Sequence, residues 1–273
     1  MLEFRNILER DWKAYHEMDI ESFSEDKIEK KDFLRWLESD GFIGFFAWKN
    51  LVGYLMLRTM GDYGHLARIA IKKSERGKGY GLRLMEHADS FFKERNVRKI
   101  GLYVETKNDV AISLYKKNGY NLAFESWHYL IDENLVKKIE KEIIPTESAE
   151  MKILSIEDYD IIILTFPSIN KEELKNHLDF KTPGERKNSI PLGLFIDNDL
   201  KVYGRFSPYF SGCRPFLCTD VKYVKEFLIN LHPYRKKEYY RITFDRDKNL
   251  TEFCENNKYK LWHHLWVMEK TIQ

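Results

Sequence analysis

The chain has 273 residues, of which 43% are apolar and 32% charged, with a formal charge of +2. That is material for one large or two ordinary domains with buried cores, in the composition of a soluble globular protein. A charge so near zero gives no general affinity for nucleic acid or membranes, and no run reaches the roughly 18 apolar residues of a membrane-spanning helix.

The opening MLEFRNILERDW contains acids and lacks the apolar core of a signal peptide, so a cytoplasmic protein is expected. Three cysteines, Cys213, Cys218 and Cys254, form no CxxC pair and have no histidines at zinc-finger spacing. Reduced thiols and no metal site follow.

In chain order, Leu2 to Ile7 predicts a short strand. Two helical stretches follow, the first starting on Glu9 and Asp11, the second carrying Ile28, Phe33, Leu34 and Trp36 and ending at Gly41. FIGFFAWKNLVGYLMLRT has two apolar runs around Lys49 and Asn50 and predicts a tight hairpin. HLARIAIKK alternates as a strand, RGKGYG (Arg76 to Gly81) is a glycine-rich turn, and Leu82 to Glu94 has the period of a helix. Leu82, Met85, Asp89 and Phe92 step by three and four, and Leu84, Ala88 and Phe91 complete the predicted apolar face. Val97 to Thr106 reads as a strand, Asn108 to Asn118 as a short helix closed by Gly119, and Tyr120 to Ile131 as a long strand.

Helices interspersed among hairpin-linked strands indicate an α/β (α+β) layered domain, its sheet mixed but mostly antiparallel and flanked by helices. Residues 1–140 form this domain; beyond Asp132 the charged run ENLVKKIEKEIIPTESAE, with Pro145 and Ser148 near its end, is read as a helical linker, the link between domains being set at 141–150. Residues 151–273 read as a faint repeat. Setting Tyr259 on Tyr120 places Asn257 on Asn118, Lys258 on Gly119, Cys254 on Tyr115 and Asp247 on Asn108, and a one-residue gap places Ile242 and Phe244 beside Leu102 and Val104. The second copy has GCRPFLCTDVKY where the glycine turn would lie, so it is expected to be degenerate.

A glycine-rich turn between a strand and a helix presents backbone N–H groups and a helix dipole to an anion. RGKGYG fits neither the P-loop GxxxxGK[ST] nor the dinucleotide pattern GxGxxG, because Lys78 is followed by Gly79 and Leu82 stands where glycine is required. What remains is RxxGxG, with Arg76, Gly79 and Gly81 on pattern. Downstream, NDVAISLYKKNGY fits NxxAxxLYxxxG[FY] through Asn108, Ala111, Leu114, Tyr115, Gly119 and Tyr120.

Together these two motifs resemble the GNAT superfamily of acyl-CoA-dependent N-acyltransferases. The resemblance implies two GNAT-like domains in tandem, with acetyl-CoA as co-substrate between the fourth and fifth strands of the first. Ile69, Ala70 and Ile71 would line the pantetheine arm, and Arg76, Gly77, Lys78, Gly79, Tyr80 and Gly81 would hold the pyrophosphate, with Asn108 and Tyr115 completing the cofactor site. Tyr115 would protonate the leaving thiolate, and a main-chain N–H in the strand ending at Ile71 would hold the oxyanion. For the base, His65 occupies a position where relatives carry a glutamate, and Glu105 follows Tyr103 on one face of the fifth strand. A water chain serves equally.

The acceptor is an amine that the sequence does not identify, and a homodimer is neither required nor excluded. A non-catalytic acyl-CoA-binding regulatory protein is the alternative. HPYRKKEYYRITFDR interleaves basic residues with tyrosines, and is read as a strand with outward charges rather than a nucleic-acid surface.

Overall fold

In the computed structural model, which describes residues 1–24, 26–179 and 188–272, Trp48 and Lys49 turn the chain between β2 (Phe42–Ala47) and β3 (Asn50–Met60). Trp48 takes φ 58°, and Ala47 lies opposite Asn50, giving the expected hairpin. The hairpin lies within the first of two compact units, made of Met1–Phe124 together with Leu265–Gln273; the second is Glu125–His264.

The sheet of the first unit runs β1 (Leu2–Asn6), β2, β3, β4 (Tyr63–Ile71), β5 (Lys99–Glu105), then Leu265–Thr271 of β12 (Lys260–Thr271). Its pairs are antiparallel except β4 with β5. Helices α1 (Trp12–Ser22) and α2 (Lys30–Trp36) contribute Tyr15, Met18 and Phe33 to a core with Phe42, Phe46 and Tyr54. On the other face, α3 (Tyr80–Lys93) and α4 (Asp109–Lys117) pack Leu84, Met85, Ala88, Phe92 and Tyr115 against Leu55, Leu66, Ile100 and Leu102. Leu82 departs from the expected apolar face, being 47% exposed. The Phe92 ring fills the space above Gly64, where a Cβ would come within 2.7 Å of it. Truncating such a ring typically costs about 3–5 kcal/mol.

The second unit comprises α5 (Glu133–Glu142), β7 (Glu150–Ile153), α6 (Tyr159–Thr165), α7 (Lys171–Leu178), β8 (Ile190–Ile196), β9 (Asp199–Ser207), β10 (Gly212–Cys218), α8 (Val224–Leu231), β11 (Tyr239–Asp245) and α9 (Lys248–Asn256). Its sheet begins with residues Ser126–Asp132 of β6 (Asn121–Asp132) and continues β11, β10, β9, β8, β7. Here β10 and β11 form the parallel pair.

These boundaries differ from a cut at 140–150. Residues 126–132 pair with β11 in the second unit, and residues 265–271 pair with β5 in the first, so each sheet takes a strand from the other half of the sequence. The charged run from Glu133 is helix α5, which buries Val136 and Ile139 in the second unit's core. The helix expected there is present, and it differs from a linker in packing one apolar face into a core while its charges lie on the opposite, solvated face.

The repeat is visible in local geometry. The side chain of Asn108 accepts from Ala111 N at 3.1 Å to cap α4, and that of Asp247 accepts from Leu250 N at 3.0 Å to cap α9. Asn118 and Asn257 each donate through Nδ2, at 2.8 Å, to the carbonyl four residues earlier. Gly119 and Lys258 both take positive φ, 85° and 57°. Before α8 the second unit has no glycine cradle, and the Asp220 carboxylate accepts from Lys222 N at 2.9 Å. That side chain supplies the negative charge that an anion would bring.

Candidate active site

Strands β4 and β5 pair from Tyr63 opposite Lys99 as far as Leu66 opposite Leu102. Beyond that row β4 continues to Ile71 and β5 to Glu105 without pairing, so the two strands part. A bulge sets the point of departure: against β3, Leu66 is opposite Leu57 and Arg68 opposite Met56, leaving Ala67 without a partner. Such an insertion bends a strand and changes which residues face which side. Accordingly Leu66, Ile69 and Ile71 belong to the α3 core, whereas Ala67 and Ala70 belong to the α1 core.

The N–H of Lys72 donates to Val52 O at 3.0 Å, toward β3. Successive N–H groups along a strand point to opposite edges, so those of Ile69 and Ile71 face the opening beside β5. Two unpaired main-chain donors thus line one wall of the gap.

At the end of β4 the chain enters the glycine turn. Gly77 and Gly79 have φ of 80° and 78°, and an added Cβ at either would meet nothing within 4 Å. Both positions therefore need glycine for conformation, with open space above the backbone. Gly79 is the N-cap of α3, where no side chain caps the first N–H groups. Gly81 differs: a Cβ there would lie 3.1 Å from Leu114, so it lets α3 and α4 approach. The basic residues are held within the loop, Arg76 Nε donating to Ile71 O at 3.0 Å and Lys78 Nζ to Glu75 Oε2 at 2.8 Å. Lys78 is exposed, so its pair is weak and exchangeable for an anion.

Tyr115 projects from α4 into the α3 core, 5% exposed, with its ring 6.1 Å from that of Tyr120. Burial raises its phenol above the ordinary tyrosine value, so it stays protonated across the neutral range. Asn108 caps the same helix, fixing its start. Tyr80 begins α3 and packs edge-on against Phe45 at 5.2 Å.

The opposite face of the sheet carries His65, whose ring meets Tyr103 edge-on at 5.7 Å. Glu105 lies further along β5, opposite Leu265 and exposed. The two candidate bases are thus separated: His65 is one row below the parting of the strands and Glu105 at the far end of β5.

One cluster was not legible in the sequence. The Asp19 carboxylate is fully buried and accepts from Arg68 Nη1 at 2.6 Å, Tyr54 Oη at 2.6 Å, Tyr15 Oη at 3.3 Å and Ile28 N at 2.6 Å. Arg68 also lies over the Phe23 ring at 4.3 Å and donates to Asp26 O. Burial and the nearby carboxylate push both Tyr15 and Tyr54 upward, so their hydroxyls remain donors. The cluster ties α1 to the residue that follows the β4 bulge. An aspartate and an arginine 49 positions apart have no shared local pattern that would have revealed it.

A cleft of about 500 Å³ lies between α1 and the end of β4, lined by Ala14, Met18, Glu21, Leu51, Lys72 and Lys73 among others. Among the described residues there is no group of three or more His, Cys, Asp or Glu side chains placed to hold a metal, and no helix is long and apolar enough to cross a membrane.

Residues 2–120 match the family described as Acetyltransferase (GNAT) family. The spermidine N(1)-acetyltransferase of Thermoplasma acidophilum is 28% identical over 127 residues, covering 42% of this chain and 79% of that protein. Among solved structures, a GCN5-related N-acetyltransferase from Sphaerobacter thermophilus aligns over 100% of this chain and 96% of its own, with a TM-score of 0.73 and 11% identity. A tandem GNAT protein from the clavulanic acid biosynthesis pathway aligns over 99% and 98%, with a TM-score of 0.63 and 10% identity. At such identities the two structures establish the fold, which extends over both halves.

Proposed function

We propose that this chain is an acetyl-CoA-dependent N-acetyltransferase whose acceptor is a small amine, cationic when free in solution, that attacks the thioester directly in its neutral form; the match of residues 2–120 to the acetyltransferase (GNAT) family supports this reading. The observation that carries this reading is the parting of β4 and β5 after Leu66 and Leu102, with the glycine cradle at the end of the same strand. In this reading the gap offers main-chain donors along one wall, and Tyr115 of α4 is the proton donor.

In the proposed reaction, free N–H groups of Gly77 to Gly81 and the α3 dipole hold the pyrophosphate, reinforced by Arg76 and Lys78. Ile69 to Ile71 align the pantetheine arm. The acceptor nitrogen bonds to the thioester carbon, and the oxyanion accepts from the N–H of Ile69 or Ile71, an interaction whose loss typically costs about 3–4 kcal/mol. The C–S bond then breaks. Tyr115 gives its proton to the leaving sulfur and the amine's proton passes to His65 directly or through water; the cycle closes when His65 releases that proton to solvent and the Tyr115 phenolate takes one back.

His65 is favoured over Glu105 as the base because its row adjoins the point at which the strands part, whereas Glu105 stands three residues beyond that point, exposed at the end of β5. The similarity to a spermidine N(1)-acetyltransferase supports a cationic, linear acceptor. The test is an acetyl-transfer screen over polyamines, monoamines, amino sugars and peptide N-termini, read by free-thiol release and product mass. Amine-dependent thiol release with a gain of one acetyl group is expected. Acetyl-CoA binding without transfer to any amine would instead support the regulatory alternative.

A further inference from the structure

Three residues form one row across the first unit's sheet. His65 on β4 is opposite Gly101 on β5, and Gly101 is opposite Glu269 on β12. Directly opposed residues share a face, so the His65 imidazole and the Glu269 carboxylate stand on the same side, with backbones two strand spacings, or roughly 10 Å, apart. The glycine between them makes room for another group. A Cβ on Gly101 would lie 1.7 Å from the Tyr63 hydroxyl, which therefore occupies that space.

From there Tyr63 Oη donates to Glu269 Oε1 at 3.4 Å, and Lys99 Nζ donates to Oε2 at 3.3 Å. The row lies directly below the point at which β4 and β5 part. The C-terminal strand of the chain thus delivers a carboxylate to the face that carries His65.

We propose that Glu269 is a specificity-determining residue that binds a second ammonium group of the acceptor, so that polyamines are preferred over monoamines; this rests on the transferase reading above. The Lys99 contact shows that a primary ammonium fits this carboxylate. The pair is partly solvated, with Lys99 51% and Glu269 24% exposed, and such pairs are weak. A substrate ammonium can therefore take the place of Lys99. An acceptor whose reacting nitrogen sits at the opening above His65 extends past the Tyr63 hydroxyl to reach Glu269.

The experiment compares steady-state acetylation of spermidine and of propylamine by the full chain and by Glu269→Gln. The variant should raise KM for spermidine about tenfold, while kcat, KM for acetyl-CoA and KM for propylamine change less than about twofold; a tenfold change corresponds to about 1.4 kcal/mol. Glu269→Asp, which keeps the charge, should recover part of the loss, and a melting temperature within a few degrees of the parent separates binding from unfolding. An unchanged spermidine KM in Glu269→Gln overturns the assignment. A parent chain that acetylates monoamines but not spermidine also overturns it and leaves the transferase reading standing. A parent chain that transfers to no amine overturns both.

Discussion

Cys254 occupies in the second unit the position that Tyr115 occupies in the first. Each precedes by five residues a tyrosine whose N–H donates to its carbonyl, Tyr120 N to Tyr115 O at 3.1 Å and Tyr259 N to Cys254 O at 2.8 Å. Both are buried near the end of a short helix capped by an Asn or Asp side chain. The backbone geometry matches while a thiol stands where the first unit has a phenol, which, with the lack of a glycine cradle before α8, supports the proposal that the chemistry belongs to the first unit. Cys254→Ser should leave kcat and KM for acetyl-CoA within about twofold of the parent, as steady-state kinetics would show, allowing about 1 kcal/mol for the buried change.

Burial pushes the thiols of Cys213 and Cys254 above their ordinary range and that of Cys218 up to about 12. A thiol attacks as its thiolate. None of the three should react with iodoacetamide at pH 8 on the native chain within an hour-scale incubation, and all three should react after denaturation. Mass spectrometry of both samples checks this.

Gly79→Ala addresses the cradle. The position takes φ 78° with open space around it, so the methyl group meets no clash and the cost is conformational, about 1–2 kcal/mol for an L residue in the left-handed region. If the loop relaxes to avoid that cost, its N–H groups move from the phosphate. KM for acetyl-CoA should rise roughly tenfold with kcat little changed. Thiol-release kinetics across a range of acetyl-CoA concentrations would separate the two constants.

The Asp19–Arg68 pair tests stability. Arg68→Met strands a carboxylate that is wholly buried, and breaking a buried pair in this way typically costs about 3–5 kcal/mol. The Tyr54 and Tyr15 hydroxyls still donate to Asp19 in the variant, which places the expected loss toward the lower end. Asp19→Asn combined with Arg68→Met should recover part of it. Urea unfolding of the single and double variants measures both.

His177 gives a pH dependence. Burial, assisted by Arg205, holds its pKa at about 4 in the folded chain, below the usual 6.5, despite Glu173 at 3.6 Å. Between these values the unfolded chain binds the proton that the folded chain refuses, so acidification favours unfolding. The contribution is fully present above pH 6.5 and is lost as the pH falls toward 4. The melting temperature should fall more steeply over that interval in the parent chain than in His177→Gln.

Much of this architecture was legible because its signals are local. RxxGxG, the Asn108 cap and the alternation of β4 each occupy a few consecutive residues, and the register that sets Tyr259 on Tyr120 rests on Asn118 and Asn257, whose side chains make the same helix-end bond. The exchange of strands was not legible, because Leu265 to Thr271 has the same pattern whichever β-strand it pairs with. Glu269 was missed for that reason, and Asp19 because nothing in a helical sequence marks an aspartate that turns inward to meet an arginine on a distant strand. Leu82 fits an apolar period, yet its position at the start of α3 leaves it exposed.

The most direct test compares Tyr115→Phe with the parent chain in thiol release and in acetyl-CoA binding. With an acceptor identified, turnover should fall by about 10² or more, the usual scale for losing a general acid, while Kd for acetyl-CoA stays within about twofold. Equal turnover by the variant would contradict the assignment of the proton donor, and with it the claim that the buried phenol of the first unit completes the transfer.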